Sequence, residues 1–319
     1  MSRGDTSPLN NETQNSIPLL VAEYGQNSLK PIHRQKPPCS TSMAENGRVE
    51  RSHRSKSRQT IDEPSNSVKL AVIRWSAWAP GLSDASAWKS WAAGTHDPTP
   101  HPDEPDVSFV PAMVRRRLSP LTRMVFCVEA ACHDDETPPD AYVYCSRYGE
   151  YERTFDILSG LARREEVSPT AFSHSVHNTS ASLFSVGQKD STPYTAIAAG
   201  AATLETAFVE SWSLLKSREA SRVLLIYHDE PLPPLYEEQP TNVTQRCALA
   251  LVLEPENGNR IADRLDLSWH KSPTDPEPRS ADGDDPAFQV LRLLINGGEP
   301  ISNDTGRLVW RWARHAGAN

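Results

Sequence analysis

Cysteine is scarce in this 319-residue sequence, and long apolar runs are missing. The five cysteines are Cys39, Cys127, Cys132, Cys145 and Cys247, and no two of them have the CxxC spacing of redox motifs and zinc sites. We therefore expect free thiols that pack as small hydrophobic side chains, and a reducing compartment such as the cytoplasm. No apolar segment approaches the length of a membrane-spanning helix, and the N-terminal residues lack a signal-peptide pattern, so we expect no membrane span.

Positive charge is also in short supply, with 33 Lys and Arg residues against 41 Asp and Glu residues and a formal net charge of −8. Nucleic-acid binding needs a basic face that neutralises phosphates, so this composition argues against a nucleic acid as partner. The densest basic segment, 48–58 (RVERSHRSKSR), lies in a stretch with few apolar residues. We interpret it as a solvated tail rather than as a nonspecific anion contact.

Composition divides the chain into three parts. Residues 1–67 are rich in Ser, Asn, Pro, Gln, Arg and Lys, which predicts a disordered N-terminal extension. Residues 68–255 alternate strand-like with helix-like segments, which predicts an α/β domain whose mixed, mostly parallel sheet is covered by helices. The pattern weakens in residues 256–319, where we expect an irregular extension that packs on the domain, with an added strand near 261–270 and a short helix at 288–295.

Local signals place the main elements of the predicted domain. Asp84 and Ser119 each precede a helix-like stretch and are predicted N-caps, and Pro120 suits the first turn of its helix. The pair Ser168-Pro169 marks a loop or a helix start. The predicted strands are 69–74, 141–146, 194–199, 223–227 and 247–253.

The sequence lacks the GxSxG, GxGxxG and GxxxxGK(S/T) motifs that mark nucleophiles and phosphate loops. It does have a junction at 197–203 (IAAGAAT), between the predicted strand 194–199 and a predicted helix at 201–216. Its small residues allow a sharp turn that exposes one side chain at a helix N-terminus, where a thiolate or a developing anion is favoured. The exposed residue is Ala201, which has no nucleophilic atom, so the junction is either an emptied nucleophile site or an ordinary tight turn.

The residues before the junction favour the emptied nucleophile site. Ser168-Pro169, His177-Asn178 and Thr192-Pro193 follow one another ahead of the junction. With these pairs, the stretch 168–210 resembles β-ketoacyl synthases, in which comparable pairs lead into the nucleophile strand and helix. A match without gaps puts the family's catalytic Cys on Ala201.

A narrower resemblance covers residues 69–255. It is to chain length factor-like homologues of aryl polyene and xanthomonadin-type pigment clusters, which are about as long as the N-terminal half of a β-ketoacyl synthase. The segments that carry it are 75–81 (WSAWAPG), 110–120 (VPAMVRRRLSP), 146–151 (SRYGEY) and 172–178 (FSHSVHN).

The resemblance implies a thiolase-like half-fold and a non-catalytic role. Active members of the family carry catalytic histidines in a C-terminal half, in an HGTGT-like segment and at a later Gly-flanked His, and neither pattern occurs here. Condensation needs a thiolate and two imidazoles. We therefore expect a chain length factor-like subunit that forms a heterodimer with a complete β-ketoacyl synthase. It would meet an acyl carrier protein in fatty acid or polyene-type elongation and need neither a cofactor nor a metal.

The residues expected at the pocket or the subunit contact surround the junction: His174, His177, Asn178, Phe184, Ala199, Gly200, Ala201 and Phe208. His174 and His177 have no carboxylate or Cys ligand close by, so we interpret them as hydrogen-bonded structural histidines rather than as zinc ligands or proton carriers. Helix packing likewise explains the grouping of Cys127, Cys132 and His133 better than metal binding does.

Three basic residues and two alternative functions complete the expectations. The run Arg115, Arg116 and Arg117 is either a contact for an acidic carrier protein or its phosphopantetheine phosphate, or a solvated turn. One alternative function is a thioester hydrolase or acyltransferase that uses Ser173, Ser175 or His177. The other is a scaffold that binds an acyl carrier protein without affecting chain length.

Overall fold

The computed structural model describes residues 66–96, 104–236, 243–256, 263–273 and 285–315. The expected disordered extension, 1–67, lies outside these residues except for Asn66 and Ser67, which begin the first strand. None of the helices in the described ranges is long and apolar enough to cross a membrane.

One sheet runs through the described part of the chain. Its eight strands are β1 (Asn66–Trp78), β2 (Ala141–Cys145), β3 (Tyr194–Ile197), β4 (Val223–Asp229), β5 (Cys247–Pro255), β6 (Asp263–Lys271), β7 (Ile301–Asp304) and β8 (Leu308–His315). The helices are α1 (Ala85–Ala92), α2 (Ala112–Arg115), α3 (Pro120–Cys132), α4 (Tyr151–Ala162), α5 (Pro169–Ser173), α6 (Thr179–Gln188), α7 (Thr203–Ser217) and α8 (Pro286–Asn296).

The strand order is β3-β2-β4-β5-β1-β6-β8-β7, and the expected α/β class with a mixed sheet is confirmed. The expectation of a mostly parallel sheet was wrong, because only β3-β2 and β2-β4 pair in parallel and the other five pairs are antiparallel. Parallel neighbours need a crossover, which helices supply between β2, β3 and β4. No α-helix of the described residues separates β4 from β5, which returns antiparallel beside it.

Helices pack on both faces of the sheet and form two hydrophobic cores. One core joins α1, α7 and α8 to the face that carries Val143, Leu225 and Leu251. The other joins α3 and α6 to the face that carries Tyr144 and Ile226. The element that ends in a sharp turn, β3, is the last strand at one edge of this sheet.

The predicted helix caps are confirmed. The Asp84 carboxylate accepts hydrogen bonds from the backbone N–H groups of Ser86 and Ala87, at 2.8 and 2.9 Å. The Ser119 hydroxyl accepts from the N–H of Thr122 at 3.0 Å, and Ser168 caps α5 in the same way. Each cap satisfies backbone donors that the first helical turn leaves unpaired.

The C-terminal segment 256–319 is not the irregular extension that the weak pattern suggested. Its described residues supply α8 and three strands, β6, β7 and β8, which continue the sheet beyond β1. Trp310 and Trp312 are buried on either side of the exposed Arg311, which is the alternation of a strand with one covered face. The added strand and the short helix expected in this segment are present as β6 and α8.

Phe184 and Phe208 do not line one pocket, contrary to the expectation that both surround the junction. Phe208 belongs to α7 and points into the core between that helix and the sheet, where its ring centroid is 4.8 Å from that of Trp312. Phe184 lies on the opposite face of the sheet, 5.2 Å from the ring of Phe126. Both phenylalanines are buried, so they stabilise two separate cores.

Candidate functional site

The junction after β3 is a sharp elbow. Gly200 has a φ of +59°, the left-handed conformation that glycine adopts at little cost, and a single 3-10 turn from it leads into α7. The Thr203 hydroxyl accepts from the N–H of Ala199 at 3.0 Å and donates to the carbonyl of Gly200 at 2.7 Å, which ties the turn together. Ala201 is exposed at its outer side, just before the first turn of the 15-residue helix α7.

A narrow cleft lies beside the elbow. It is lined by Arg147, Gly200, Ala201, Thr203, Leu204, Tyr227 and Pro286. Tyr227 belongs to β4 and Pro286 to the first turn of α8, so the sheet and a C-terminal helix both reach the elbow. The position at which a nucleophile would act therefore opens onto side chains from three elements.

Two carboxyl groups are buried beneath this cleft. Asp229 accepts from the Ser146 hydroxyl at 2.8 Å and from the backbone N–H of Arg147 at 2.9 Å, which holds the loop after β2. Asp285 accepts from the Tyr227 hydroxyl at 3.2 Å and caps α8. Together they join the end of β4 to the start of α8.

Burial raises the pKa of both carboxyl groups, and their mutual repulsion adds to the shift at Asp285, whose pKa rises to about 7. Hydrogen bonds from Arg147, Ser146 and Tyr227 partly offset the effect of burial at Asp229. The pair thus favours a proton on Asp285 while Asp229 accepts most of the donors.

The histidines near the elbow have structural surroundings. The His177 Nε2 is 2.8 Å from the carbonyl of Ser146, so this histidine is hydrogen-bonded as expected. Gly149 leaves room for the His177 ring, because a Cβ atom at residue 149 would lie 3.0 Å from it. The pKa of His174 is lowered, first by burial and then by the positive charges of Arg153 and Arg117.

The serines of the alternative hydrolase are not paired with His177. The Ser173 hydroxyl donates to the carbonyl of Pro169 at 2.8 Å, and that of Ser175 donates to the carbonyl of Phe172 at 2.9 Å. These bonds are local turns of α5 rather than a nucleophile–base contact. Within the described ranges, no three His, Cys, Asp or Glu side chains are arranged to hold a metal ion.

Strand β3 presents an exposed edge. The carbonyls of Pro193 and Ile197 accept hydrogen bonds from the N–H groups of Tyr142 and Ser146, at 3.0 and 3.2 Å. Because alternate residues of a strand direct their backbone groups to opposite sides, the N–H and carbonyl of Ala196 face away from β2. Tyr194 is 37 % exposed, and its hydroxyl accepts at 3.1 Å from the side-chain amide of Asn178, which begins α6.

Exposed apolar side chains occur on α4, α5 and α6 and in the segment between α5 and α6. Thr154 on α4 donates to the carbonyl of Ser175 at 3.4 Å, which joins α4 to that segment, and Ser182 of α6 lies 3.1 Å from the Tyr194 hydroxyl. We call the exposed apolar residues of these elements and of β3 the apolar edge surface: Leu158, Leu161, Phe172, Val176, Val186 and Tyr194. Phe172 is 63 % exposed, the highest value among its aromatic residues.

The three consecutive arginines occupy the end of α2 and the turn after it. Arg115 donates to the carbonyl of Ser108 at 3.2 Å and so is engaged within its own loop. Arg116 and Arg117 are exposed, next to Met113, whose side chain is 73 % exposed. Two of the three guanidinium groups therefore point to solvent beside an apolar side chain.

Several residues at the elbow were not anticipated from the sequence. Tyr227, Asp229 and Asp285 lie under the cleft, although 229 and 285 are far apart along the chain. Two local features of the sequence point to these residues: Asp229 ends an apolar strand, and Asp285 precedes the proline at the start of a helix. Neither signal indicates that the two meet, since only the sheet brings them together.

Comparison with known proteins shows the family to which the chain belongs. A family model described as the N-terminal domain of β-ketoacyl synthase matches residues 88–313. The chain is 28 % identical to a chain in the solved complex of a ketosynthase (ApeO) with its chain length factor (ApeC) from Xenorhabdus doucetiae, with a TM-score of 0.65 over 77 % of this chain and 100 % of that chain. A search among curated proteins gave no match.

Two more distant structures share the fold. The ishigamide ketosynthase/chain length factor is 12 % identical, with a TM-score of 0.59 over 79 % of this chain and 100 % of that chain. A chain in the complex of a type II PKS acyl-carrier protein with its ketosynthase (AntDE:AntF) is also 12 % identical. Its TM-score is 0.56, over 78 % of this chain and 99 % of that chain. At this identity the two likenesses concern the fold alone.

The elbow predicts that a thiol at residue 201 is activated by its position. Ala201→Cys places the thiol at the N-terminal end of α7, where the helix dipole lowers its pKa, whereas Ser217→Cys places an exposed thiol at the opposite end of the same helix. We expect iodoacetamide at pH 7 to alkylate Cys at 201 about fivefold faster. Peptide mass mapping separates both from the native cysteines, and equal rates would contradict the interpretation of the junction as a nucleophile elbow.

The Asp285 carboxyl predicts a pH-dependent stability. Its folded-state pKa of about 7 lies above the ordinary value of 3.8, so the folded chain holds a proton that the unfolded chain releases between these values. The free energy of unfolding therefore falls as pH rises through this interval, by up to about 1.4 kcal/mol per pH unit.

Asp285→Asn removes this titration and keeps an acceptor for the N–H of Ala287. We expect denaturant unfolding of the variant between pH 4.5 and 7.5 to show a flatter dependence than the parent chain. Asp84→Asn, which changes the exposed cap of α1, serves as the control and should leave the slope unchanged. Parallel slopes for Asp285→Asn and the parent chain would refute the assignment.

Proposed function

This chain belongs to the family of β-ketoacyl synthase N-terminal domains, and from that premise we propose that it is a non-catalytic, chain length factor-like subunit of a ketosynthase heterodimer. The observation that carries the proposal is Ala201, which stands at the exposed position of an intact elbow. We place its work in the cytoplasm, in the elongation of fatty acid or polyene-type chains on an acyl carrier protein.

The missing thiol is the reason for a non-catalytic role. Carbon–carbon bond formation on a thioester-bound chain needs a nucleophile that holds the chain and groups that stabilise the developing negative charge. The methyl group of Ala201 supplies neither of these. In this proposal the Cys of the partner subunit carries out the chemistry.

The apolar edge surface is the proposed contact with the partner. Outward backbone groups of β3 offer hydrogen bonds to a second strand, and the apolar side chains beside them supply area that is removed from water on association. The ketosynthase of Xenorhabdus doucetiae was solved in complex with its chain length factor, and this chain is 28 % identical to a chain of that complex. This likeness supports a ketosynthase as the partner.

The exposed arginines after α2 are the proposed contact for the carrier protein. Arg116 and Arg117 present two cations beside the exposed Met113, a combination that fits an acidic helical surface with apolar side chains. Arg115 contributes less, because it is engaged with the carbonyl of Ser108.

Blocking the edge of β3 should abolish pairing. Ala196→Pro removes the outward N–H and places a ring where a partner strand would lie, and an edge strand tolerates proline on its free side. We expect co-expression with the ketosynthase encoded beside this chain to yield a complex with the parent chain. With Ala196→Pro we expect at least about a tenfold loss of affinity.

The matched control is Ala196→Ser, which keeps the N–H and should co-purify like the parent chain. Circular dichroism and thermal melting of the isolated variants establish that both are folded. Undiminished co-purification of folded Ala196→Pro would show that the partner does not use this edge.

Phe172 is the residue that we expect to influence product length. It is the exposed aromatic residue of the apolar edge surface, whereas Phe184 is buried in a core. If the partner's acyl tunnel reaches the interface, Phe172→Ala enlarges it and shifts products toward longer chains. Mass spectrometry of the products made by the reconstituted heterodimer measures the shift.

Phe184→Ala is the comparison for this test. We expect it to lower the stability by about 3–5 kcal/mol, and so the yield, without shifting the length distribution. An unchanged product length with Phe172→Ala, in a complex that still forms, would favour a scaffold that binds the carrier protein without measuring the chain.

A further inference from the structure

The hairpin β7–β8, from the C-terminal segment, reaches the elbow through one side chain. The Asn303 amide nitrogen lies 3.2 Å from the carbonyl oxygen of Ala201 and 2.9 Å from Oε1 of Glu205. Ala201 is the exposed residue of the elbow, and Glu205 is in the first turn of α7. One donor group therefore bridges the turn and the helix that follows it, from about 100 residues further along the chain.

Glu205 is fully buried at the base of this bridge. Its Oε1 also accepts from the indole N–H of Trp312 on β8 at 3.4 Å, while its Oε2 has no hydrogen-bond partner among the described residues. Burial raises the pKa of this carboxyl, which favours the neutral form that two neutral donors can hold. The Trp312 ring packs on Phe208, so the same strand anchors α7 one turn further on.

Neighbouring side chains of β7 do not share this contact. Ser302 is exposed, and Asp304 bonds to the Ser272 hydroxyl and the N–H of Gly306. Because side chains alternate along a strand, Asn303 faces the elbow while its two neighbours face away. The contact is thus specific to one residue rather than a general property of the hairpin.

We infer that the hairpin Ile301–His315 is a latch that fixes the elbow, with Asn303 as its positioning residue and Glu205 and Trp312 as its anchor. The latch fixes the peptide after Ala201 relative to the first turn of α7. It gives a role to the C-terminal segment that holds whether or not a partner subunit binds, and so goes beyond the proposed function.

Hydrogen exchange of the full-length chain tests the latch. Asn303→Ala removes both hydrogen bonds of the bridge, and we expect amide exchange in 199–205 to accelerate about tenfold or more, while α3 on the other face of the sheet is unchanged. Ser302→Ala, on the adjacent outward position, should change neither region. Glu205→Gln keeps the Oε1 acceptor and should exchange like the parent chain.

Trp312→Phe provides a second, milder variant, since it removes one donor and keeps a ring against Phe208. We expect a smaller acceleration at the same residues. Equal acceleration of 199–205 and α3 in Asn303→Ala, or no acceleration at all, would overturn the latch. Exchange is measured on the chain alone, so failure of the latch is distinguishable from failure of subunit pairing.

Discussion

The left-handed backbone of Gly200 is the constraint on which the end of β3 and the exposure of Ala201 depend. A φ of +59° lets the chain reverse between β3 and α7 within a single 3-10 turn, and the Thr203 hydroxyl fixes that turn from both sides. No atom lies within 4 Å of the position that a Cβ of residue 200 would take, so glycine is needed for its backbone and not for space. Since the same turn ends β3 and exposes Ala201, the sheet edge and the nucleophile position have a common geometric origin.

In the proposed function, this shared origin lets the chain keep the elbow with Ala201 in place of a nucleophile. Catalysis needs the right atom at residue 201 and imidazoles around it, whereas subunit pairing needs only the strand edge and the start of the helix. In that proposal, the methyl group of Ala201 lacks what catalysis needs and leaves the strand edge and the start of the helix unchanged. The buried pair of Asp229 and Asp285 then serves structure, because each carboxyl accepts backbone N–H groups of a neighbouring element.

Local and long-range signals in the sequence differ in what they predict. Ser119 as a cap and the five strands of 68–255 depend on neighbouring residues and are confirmed. The direction of β5 depends on which connections contain helices, and the contact of Asn303 with Ala201 depends on two segments about 100 residues apart. Local patterns in one sequence do not indicate which distant segments meet. The sharp turn at 197–203 was therefore predicted, whereas the contact of Asn303 with it was not.

The sequence of β8 has the alternation of a strand, but the loop-like segments around it led to the expectation of irregular structure. Trp310 and Trp312 flank the exposed Arg311 as a half-buried strand requires. Phe172 and Phe208 show the opposite limit: both are phenylalanines on helices, and only the packing of the folded chain makes the first exposed and the second buried.

Charged side chains gather on one part of the sheet, around β6 and away from the β3 edge. On β6, Asp266 lies 3.3 Å from the Lys69 ammonium, 3.3 Å from Nε of Arg264 and 3.1 Å from Nε2 of His315, so this face is a network of charges. β6 is an interior strand between β1 and β8, so these charges hold together strands that are already paired. β3, in contrast, is an edge strand, and Tyr194 and Ala196 are exposed along it. In the proposed heterodimer, this unpaired edge, at the strand that leads into the elbow, is what the chain offers to a partner strand.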